Sequence, residues 1–262
     1  MKSVVITGST RGIGYGLAHE FLARGCRVTI NGRSQAGVDK AVATLSEKHD
    51  GTNIVGQAGD VTKPEDHQAI WDTTVAHFGG VDIWINNAGV GHPMLNVWEI
   101  PTDLVHKVVD IDLKGLVFGS QIAIKNMLKQ GHGHLYNMEG FGSNGRTRAG
   151  ISLYGSTKSA VRFLTKSLTK ETADTPVKVS TISPGIVITE FITDQYKDDP
   201  QGLEEAKKVF NILGDKVETV TPWLVEKMLA NDKSGASFEW LTPSKVMTRF
   251  MTARFNKRDL FT

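Results

Sequence analysis

The chain has 262 residues, 40% of them hydrophobic and 22% charged, the balance of a folded domain with a sizeable core rather than of a disordered or fibrous chain. Lys and Arg number 30 against 28 Asp and Glu, so a net charge of +2 offers no basic stripe, and no nucleic-acid partner is expected. The single cysteine, Cys26, excludes an intramolecular disulfide; with no activating motif nearby it is expected to be a buried strand-edge residue in a reducing, cytoplasmic setting.

In chain order, the apolar run Val4-Val5-Ile6 is too short for a signal-peptide core, and no later run reaches the length of a spanning helix, so at most peripheral membrane association is expected. VVIT (4–7) reads as a buried strand that leads at once into TGSTRGIG (7–14) and the helical pattern GLAHEFLARG (16–25). Strand, glycine turn and helix in that order make a phosphate cradle. Gly8 permits the tight turn, Gly12 lets backbone approach a pyrophosphate, Gly14 allows close packing, and N–H groups from Ser9 to Ile13 are left to hold phosphate.

The second strand, RVTI (27–30), runs into INGRS. An enzyme that grips the ribose hydroxyls of NAD carries an acidic residue at that strand end. Here Gly32 and Arg33 stand there, and Arg11 sits inside the glycine loop. Two guanidinium groups beside an adenosine 2′-phosphate, at about 1.5 to 3 kcal/mol per charge-assisted bond, favour NADPH over NADH as cofactor.

Further strands read at NIVG (53–56), VDIWIN (81–86), HLYNM (134–138) and VKVSTIS (177–183), separated by helical patterns such as PEDHQAIWDTTVAHFG (64–79). The alternation specifies an α/β fold, a single-domain, Rossmann-type doubly wound parallel sheet with helices on both faces and its ligand crevice beyond the carboxyl ends of the strands. After Thr189 a charged stretch with a Pro-Gln-Gly turn is expected to form a substrate lid over about 190–222, followed by a C-terminal extension over about 233–262. In that extension Val246, Met247, Phe250, Met251, Arg254 and Phe255 recur at helical spacing. They predict a helix that packs on the core or on another subunit, walls a large apolar substrate, or lies on a surface flanked by Lys245, Arg249, Lys257 and Arg258.

Tyr154 and Lys158 are four apart and share a helix face. A tyrosine hydroxyl, with a free pKa near ~10, can give a proton to a carbonyl oxygen as hydride reaches the carbon, and a nearby ammonium stabilises the phenolate left behind. The glycine-rich stretch before this pair leaves the crevice mouth open to a bulky substrate. Glu139 either faces that crevice or pairs with Arg146 or Arg148. His132 and His134 have no third ligand near them in sequence, so no metal site is expected.

With TGSTRGIG, NNAG (86–89), YGSTK (154–158) and SPGIVIT (183–189) in order, the chain resembles the classical short-chain dehydrogenase/reductase family over residues 1 to about 195. The resemblance implies that Asp60 and Val61 flank the adenine and that Asn87, Ala88 and Gly89 line the cofactor cleft. It implies contacts to the nicotinamide end from Pro184, Gly185, Val187 and Thr189, with Tyr154 and Lys158 beside the nicotinamide ribose. A homo-oligomer, dimer or tetramer, built from the outer helices is implied as well. GHLYNMEGFGSNGR, LYGSTK and FEWLT look like the chlorophyll b reductase branch, whose members reduce the 7-formyl group of chlorophyll b with NADPH, a step of chlorophyll catabolism. A hydrophobic substrate such as chlorophyll b or chlorophyllide b is the corresponding expectation.

Two departures from the family pattern stand out. The serine usual at the strand end is replaced within Asn137-Met138-Glu139-Gly140, and the nearest hydroxyl is Ser143, in a loop one residue longer, with Ser152 the weaker candidate. Asp112 stands where the pattern has an asparagine that holds a water in the proton relay. These departures keep open a non-catalytic NADP(H)-binding sensor, against which the intact Tyr154 and Lys158 argue. Within the enzyme reading, a 3-oxoacyl, steroid-like or simple ketone substrate is the alternative.

Overall fold

A computed structural model describes residues 1–261. Six strands form where the apolar runs place them: β1 (Ser3–Ile6), β2 (Arg27–Gly32), β3 (Ile54–Ala58), β4 (Ile83–Asn86), β5 (Gly133–Met138) and β6 (Val177–Ser183). Two short strands, β7 (Ile186–Val187) and β8 (Gly214–Asp215), pair separately, while β9 (Ser237–Glu239) adds to the main sheet. The sheet order is β3-β2-β1-β4-β5-β6-β9, every pairing parallel. Strand order reverses between β1 and β4, so the crevice opens where their carboxyl ends diverge.

Successive strand residues feed opposite cores, as a pleated strand requires. Val4 and Ile6 join one apolar cluster and Val5 the other. The first cluster is covered by α1 (Gly12–Ala23), α2 (Gln35–Ser46) and α9 (Val217–Ala230), through residues such as Phe21, Leu45 and Leu224. The second is covered by α3 (Pro64–Phe78) and α5 (Gly115–Gln130), through Ile70, Trp71 and Met127. Burial on both faces is the reason these strands read as continuous apolar runs. Between β4 and α5 lies α4 (Thr102–Val109), which passes through a wider π turn (Asp110–Lys114) into α5. After β5 comes the long α6 (Ser152–Glu171).

The segment expected to form a lid holds α7 (Glu190–Thr193) and α8 (Pro200–Leu213), but the expected boundary at 222 needs correction. Residues 217–222 already belong to α9, where Val220 and Thr221 are buried in the sheet's own core. The extension also starts inside the sheet, as β9, a strand too short to show alternation in sequence.

The last helix, α10 (Pro243–Thr252), follows β9. Its apolar stripe does not pack on the core: Met247, Phe250 and Met251 are 62%, 50% and 73% exposed, and Phe255, expected on the same stripe, lies beyond the helix end at 87%. The helix docks by its basic side instead. Arg249 reaches the buried Asp215 at 2.8 Å, Arg258 of the following segment reaches the same carboxylate at 3.1 Å, and Lys245 lies over the Trp240 ring. A carboxylate with two guanidinium partners and the Trp240 indole N–H at 2.6 Å leaves the greasy face pointing outward. Among the described residues no helix is long and apolar enough to cross a membrane.

Candidate active site

The glycine turn is bolted to the end of β4. Gly8 and Gly12 take left-handed φ values of +63° and +59°, a region open to glycine at little cost. The Asn87 side chain donates to the Thr7 and Gly8 carbonyls at 2.8 and 3.1 Å, and Thr7 Oγ1 accepts the N–H groups of Asn87 and Ala88. A Cβ on Gly14 would lie 2.5 Å from both Asn87 Nδ2 and the Gly8 carbonyl oxygen. On the other side Asn31 accepts the Gly8 N–H, and Ser9 Oγ donates to the Ile6 carbonyl.

At Gly12, by contrast, a Cβ would meet nothing closer than Thr189 Cγ2 at 3.8 Å. No side chain caps the start of α1. An open, uncapped helix start beside two left-handed glycines fits an anionic dinucleotide, because its N–H groups have no acceptor within the helix.

Gly32 ends β2 against Thr10, where an added Cβ would come within 2.6 Å of Thr10 Cγ2, so an acidic side chain has no room there. Arg33 is exposed and makes no ion pair among the described residues. Arg11 reaches across the cleft to Glu190 at 2.5 Å. That partner was not apparent in the sequence, since Glu190 is far along the chain. Asp60 accepts the Thr62 N–H at 2.9 Å, and Val61 is buried at the edge of the cleft. Pro184 and Gly185 follow β6, and Gly185, at φ +71°, lies under Leu241; Val187 is buried and Thr189 begins α7.

Tyr154 and Lys158 sit on successive turns of α6, with the Lys158 ammonium 5.5 Å from the Tyr154 ring centre. Lys158 and Asp112 are both buried, and their charged groups lie 3.6 Å apart. Asp112 also accepts the Val90 N–H at 2.7 Å and the Thr157 hydroxyl at 3.5 Å. Gly89 keeps this pair close, since a Cβ there would lie 3.3 Å from Lys158 Nζ. A hollow of about 10 Å³ adjoins them, edged by Thr7, Asn86, Asp112 and Lys158, room for one water with several polar neighbours.

Burial pushes the Asp112 carboxyl above its ordinary pKa, and the Lys158 charge pulls part of the way back. Burial, and then the Asp112 charge, push the Tyr154 hydroxyl up as well. The net direction is opposite to the effect expected of Lys158 alone.

The strand end explains the missing serine. A Cβ on Gly140 would run into the Tyr154 hydroxyl, so this position has room for none. The chain then turns back on itself: Ser143 N–H donates to the Gly140 carbonyl and Ser143 Oγ accepts the Gly140 N–H, both at 3.1 Å. The fold therefore brings Ser143, buried, beside the residue that touches Tyr154, whereas Ser152 is exposed. Glu139 does not pair with Arg146 or Arg148. Its carboxylate is held at both oxygens by Arg162, at 2.8 and 2.5 Å, and the same guanidinium reaches Glu239 at 2.7 Å. Over the mouth lies α7, with Phe191 5.7 Å from the Tyr154 ring, and in the turn that follows it Gln195 packs on Gly91.

The histidines of the GHGH stretch are engaged elsewhere. His134 contacts the Ser180 and Tyr136 hydroxyls, and His132 lies 3.3 Å from Asp82.

This arrangement matches a known family. The short chain dehydrogenase family profile matches residues 2–200, and the chain belongs to that family of oxidoreductases. Among curated relatives, the probable chlorophyll(ide) b reductase NYC1, chloroplastic, of Arabidopsis thaliana is 34% identical over 96% of this chain and 53% of the relative. The chlorophyll(ide) b reductase NOL, chloroplastic, of the same plant is 34% identical over 95% of this chain and 73% of the relative. The chain thus spans about half the length of the NYC1 relative. Among solved structures, the closed form of serine dehydrogenase complexed with NADP+ aligns with a TM-score of 0.79 at 26% identity, over 92% of this chain and 95% of that one.

Proposed function

We propose that the protein is an NADPH-dependent reductase that converts the 7-formyl group of chlorophyll b, or of a similar large hydrophobic aldehyde, to the hydroxymethyl alcohol. The observation that carries the reading is the hydroxyl of the half-buried Tyr154, set against a strand end stripped to Gly140, with the paired Lys158 and Asp112 one turn behind it. The relatives named for chlorophyll(ide) b reduction support the substrate class, and the glycine-rich mouth supports its size.

When bound, the nicotinamide cofactor supplies the hydride. The N–H groups at the start of α1, Gly12 to Gly14, would hold its phosphates, whereas those of Gly8 and Ser9 are already bonded to Asn31 and serve to shape the turn. Arg33, exposed and unpaired among the described residues, favours a 2′-phosphate, and Arg11 would add to it by exchanging Glu190 for the phosphate. Tyr154 donates its proton to the carbonyl oxygen, and Ser143 steadies the charge that develops there through its hydroxyl hydrogen. Lys158 and Asp112, with a water in the adjoining hollow, would pass a proton from solvent back to Tyr154.

The test is anaerobic incubation with chlorophyll b and either NADPH or NADH, with chromatographic detection of the 7-hydroxymethyl product. Product is expected with NADPH and much less with NADH, and Tyr154→Phe should lose on the order of 10² to 10⁴ in rate. Undiminished product from Tyr154→Phe would remove Tyr154 as the acid. Absence of product from wild-type protein that binds NADPH would remove this substrate.

A further inference from the structure

His92 belongs to none of the motifs along the chain, yet it touches the proposed proton donor. The first N–H groups of a helix have no acceptor within it, and a Ser, Thr or Asp at the N-cap normally receives the one at the third position. In α6 the N-cap is Ile151, whose side chain cannot accept, and the third residue is Tyr154 itself. Nε2 of His92, on the loop that follows β4, accepts the Tyr154 backbone N–H at 3.3 Å.

The ring can do this in one tautomer only. Nδ1 of His92 lies 2.7 Å from the Pro93 carbonyl oxygen, which only accepts, so Nδ1 carries the hydrogen and Nε2 the lone pair. His92 is 3% exposed, which leaves no water to take over the bond.

We propose that His92 is a positioning residue for Tyr154, capping the catalytic helix from a neighbouring loop. The rest of α6 is anchored separately, by Lys158 on Asp112 and Arg162 on Glu139, so the His92 bond governs the first turn alone. That turn carries the phenol. Without the cap it frays and the hydroxyl loses its fixed place against Gly140, while the glycine turn that serves the cofactor is untouched.

The proposal rests on the reading of Tyr154 as proton donor, and the two can fail separately. Amide hydrogen exchange on the full chain reads the cap without any turnover. In His92→Leu, exchange at 152–156 should rise about tenfold or more while 160–171 stays protected, a tenfold change being about 1.4 kcal/mol of local opening. On a carbonyl that the wild type reduces, kcat should fall about tenfold while the KM for NADPH rises no more than about twofold, because the glycine turn keeps its grip. His92→Gln, whose amide can accept from Tyr154 and donate to Pro93, should restore most of both. His92→Phe serves if the leucine variant does not fold. Unchanged exchange in the first turn would overturn the cap whatever the activity, and faster exchange at unchanged kcat would overturn its positioning role. Activity that survives Tyr154→Phe would instead count against the proton-donor reading, with the exchange result still standing.

Discussion

Burial and the Asp112 carboxylate both hold the Tyr154 hydroxyl above its ordinary pKa, so at neutral pH it keeps its proton, the state that a carbonyl reduction consumes. Replacing Asp112 with Asn removes one of the two effects, and the sign follows directly. The Tyr154 pKa falls, the loaded acid is lost at lower pH, and the alkaline limb of kcat/KM for reduction shifts toward neutrality. Beyond that limb each unit of displacement costs about tenfold in rate. A pH–rate profile of Asp112→Asn beside wild type reads the shift, and a limb that stays in place would mean that Asp112 does not act on Tyr154. The Tyr154–Lys158 pair was legible in sequence because four residues on a helix make one face. The sign of the tyrosine's shift was not, because it depends on how far the hydroxyl is buried and on a carboxylate that a π turn delivers from another element.

Helix α6 carries Tyr154, Lys158 and Arg162 four residues apart, and the three meet different partners: Gly140, Asp112 and Glu139. Arg162 fixes the helix against the end of β5. The Glu139 side chain is 2% exposed, and its pairing pushes the Arg162 guanidinium further above its already high pKa. Arg162→Met should therefore strand a buried carboxylate and cost about 3 to 5 kcal/mol of stability. The side chain of Glu239 is 31% exposed, and Glu239→Gln leaves Arg162 paired with Glu139, so its cost should stay within about 1 kcal/mol. Urea unfolding of the two variants at neutral pH compares them, and equal losses would show that the clamp does not depend on Glu139. None of this clamp was readable from the chain. Glu139 offered nearer arginines in Arg146 and Arg148, Arg162 lies 23 residues further along, and Glu239 lies in a three-residue strand without a period of its own. The α10 helix shows a related limit. Its stripe was visible, but its direction was set by Asp215, which draws Arg249 and Arg258 inward.

For the molecule as a whole, the site is only as firm as the sheet whose strand ends form it, and β5 is the strand that brings Glu139 and Gly140 to the crevice. Near its other end β5 buries His134, stacked on Tyr136 and bonded to Ser180 of β6. Burial, helped by the charges of Lys178 and Lys2, pushes the His134 pKa down to about 3. The unfolded chain binds that proton near pH ~6.5, so the contribution is fully present above that pH and is lost as pH falls toward the folded value. By about pH 5 the loss from His134 alone should reach roughly 2 kcal/mol, well before most carboxylates titrate. His67, whose pKa burial also lowers, adds to it in the same direction. Unfolding free energies at about pH 7 and pH 5 test the argument when wild type is set beside His134→Asn, which does not titrate in this range. The variant will be less stable at pH 7, yet its further loss on acidification should be smaller than the wild type's by about 2 kcal/mol. An equal loss in both proteins would mean that His134 takes up its proton without unfolding the sheet, and the acid sensitivity of the strand that builds the site would have to come from elsewhere.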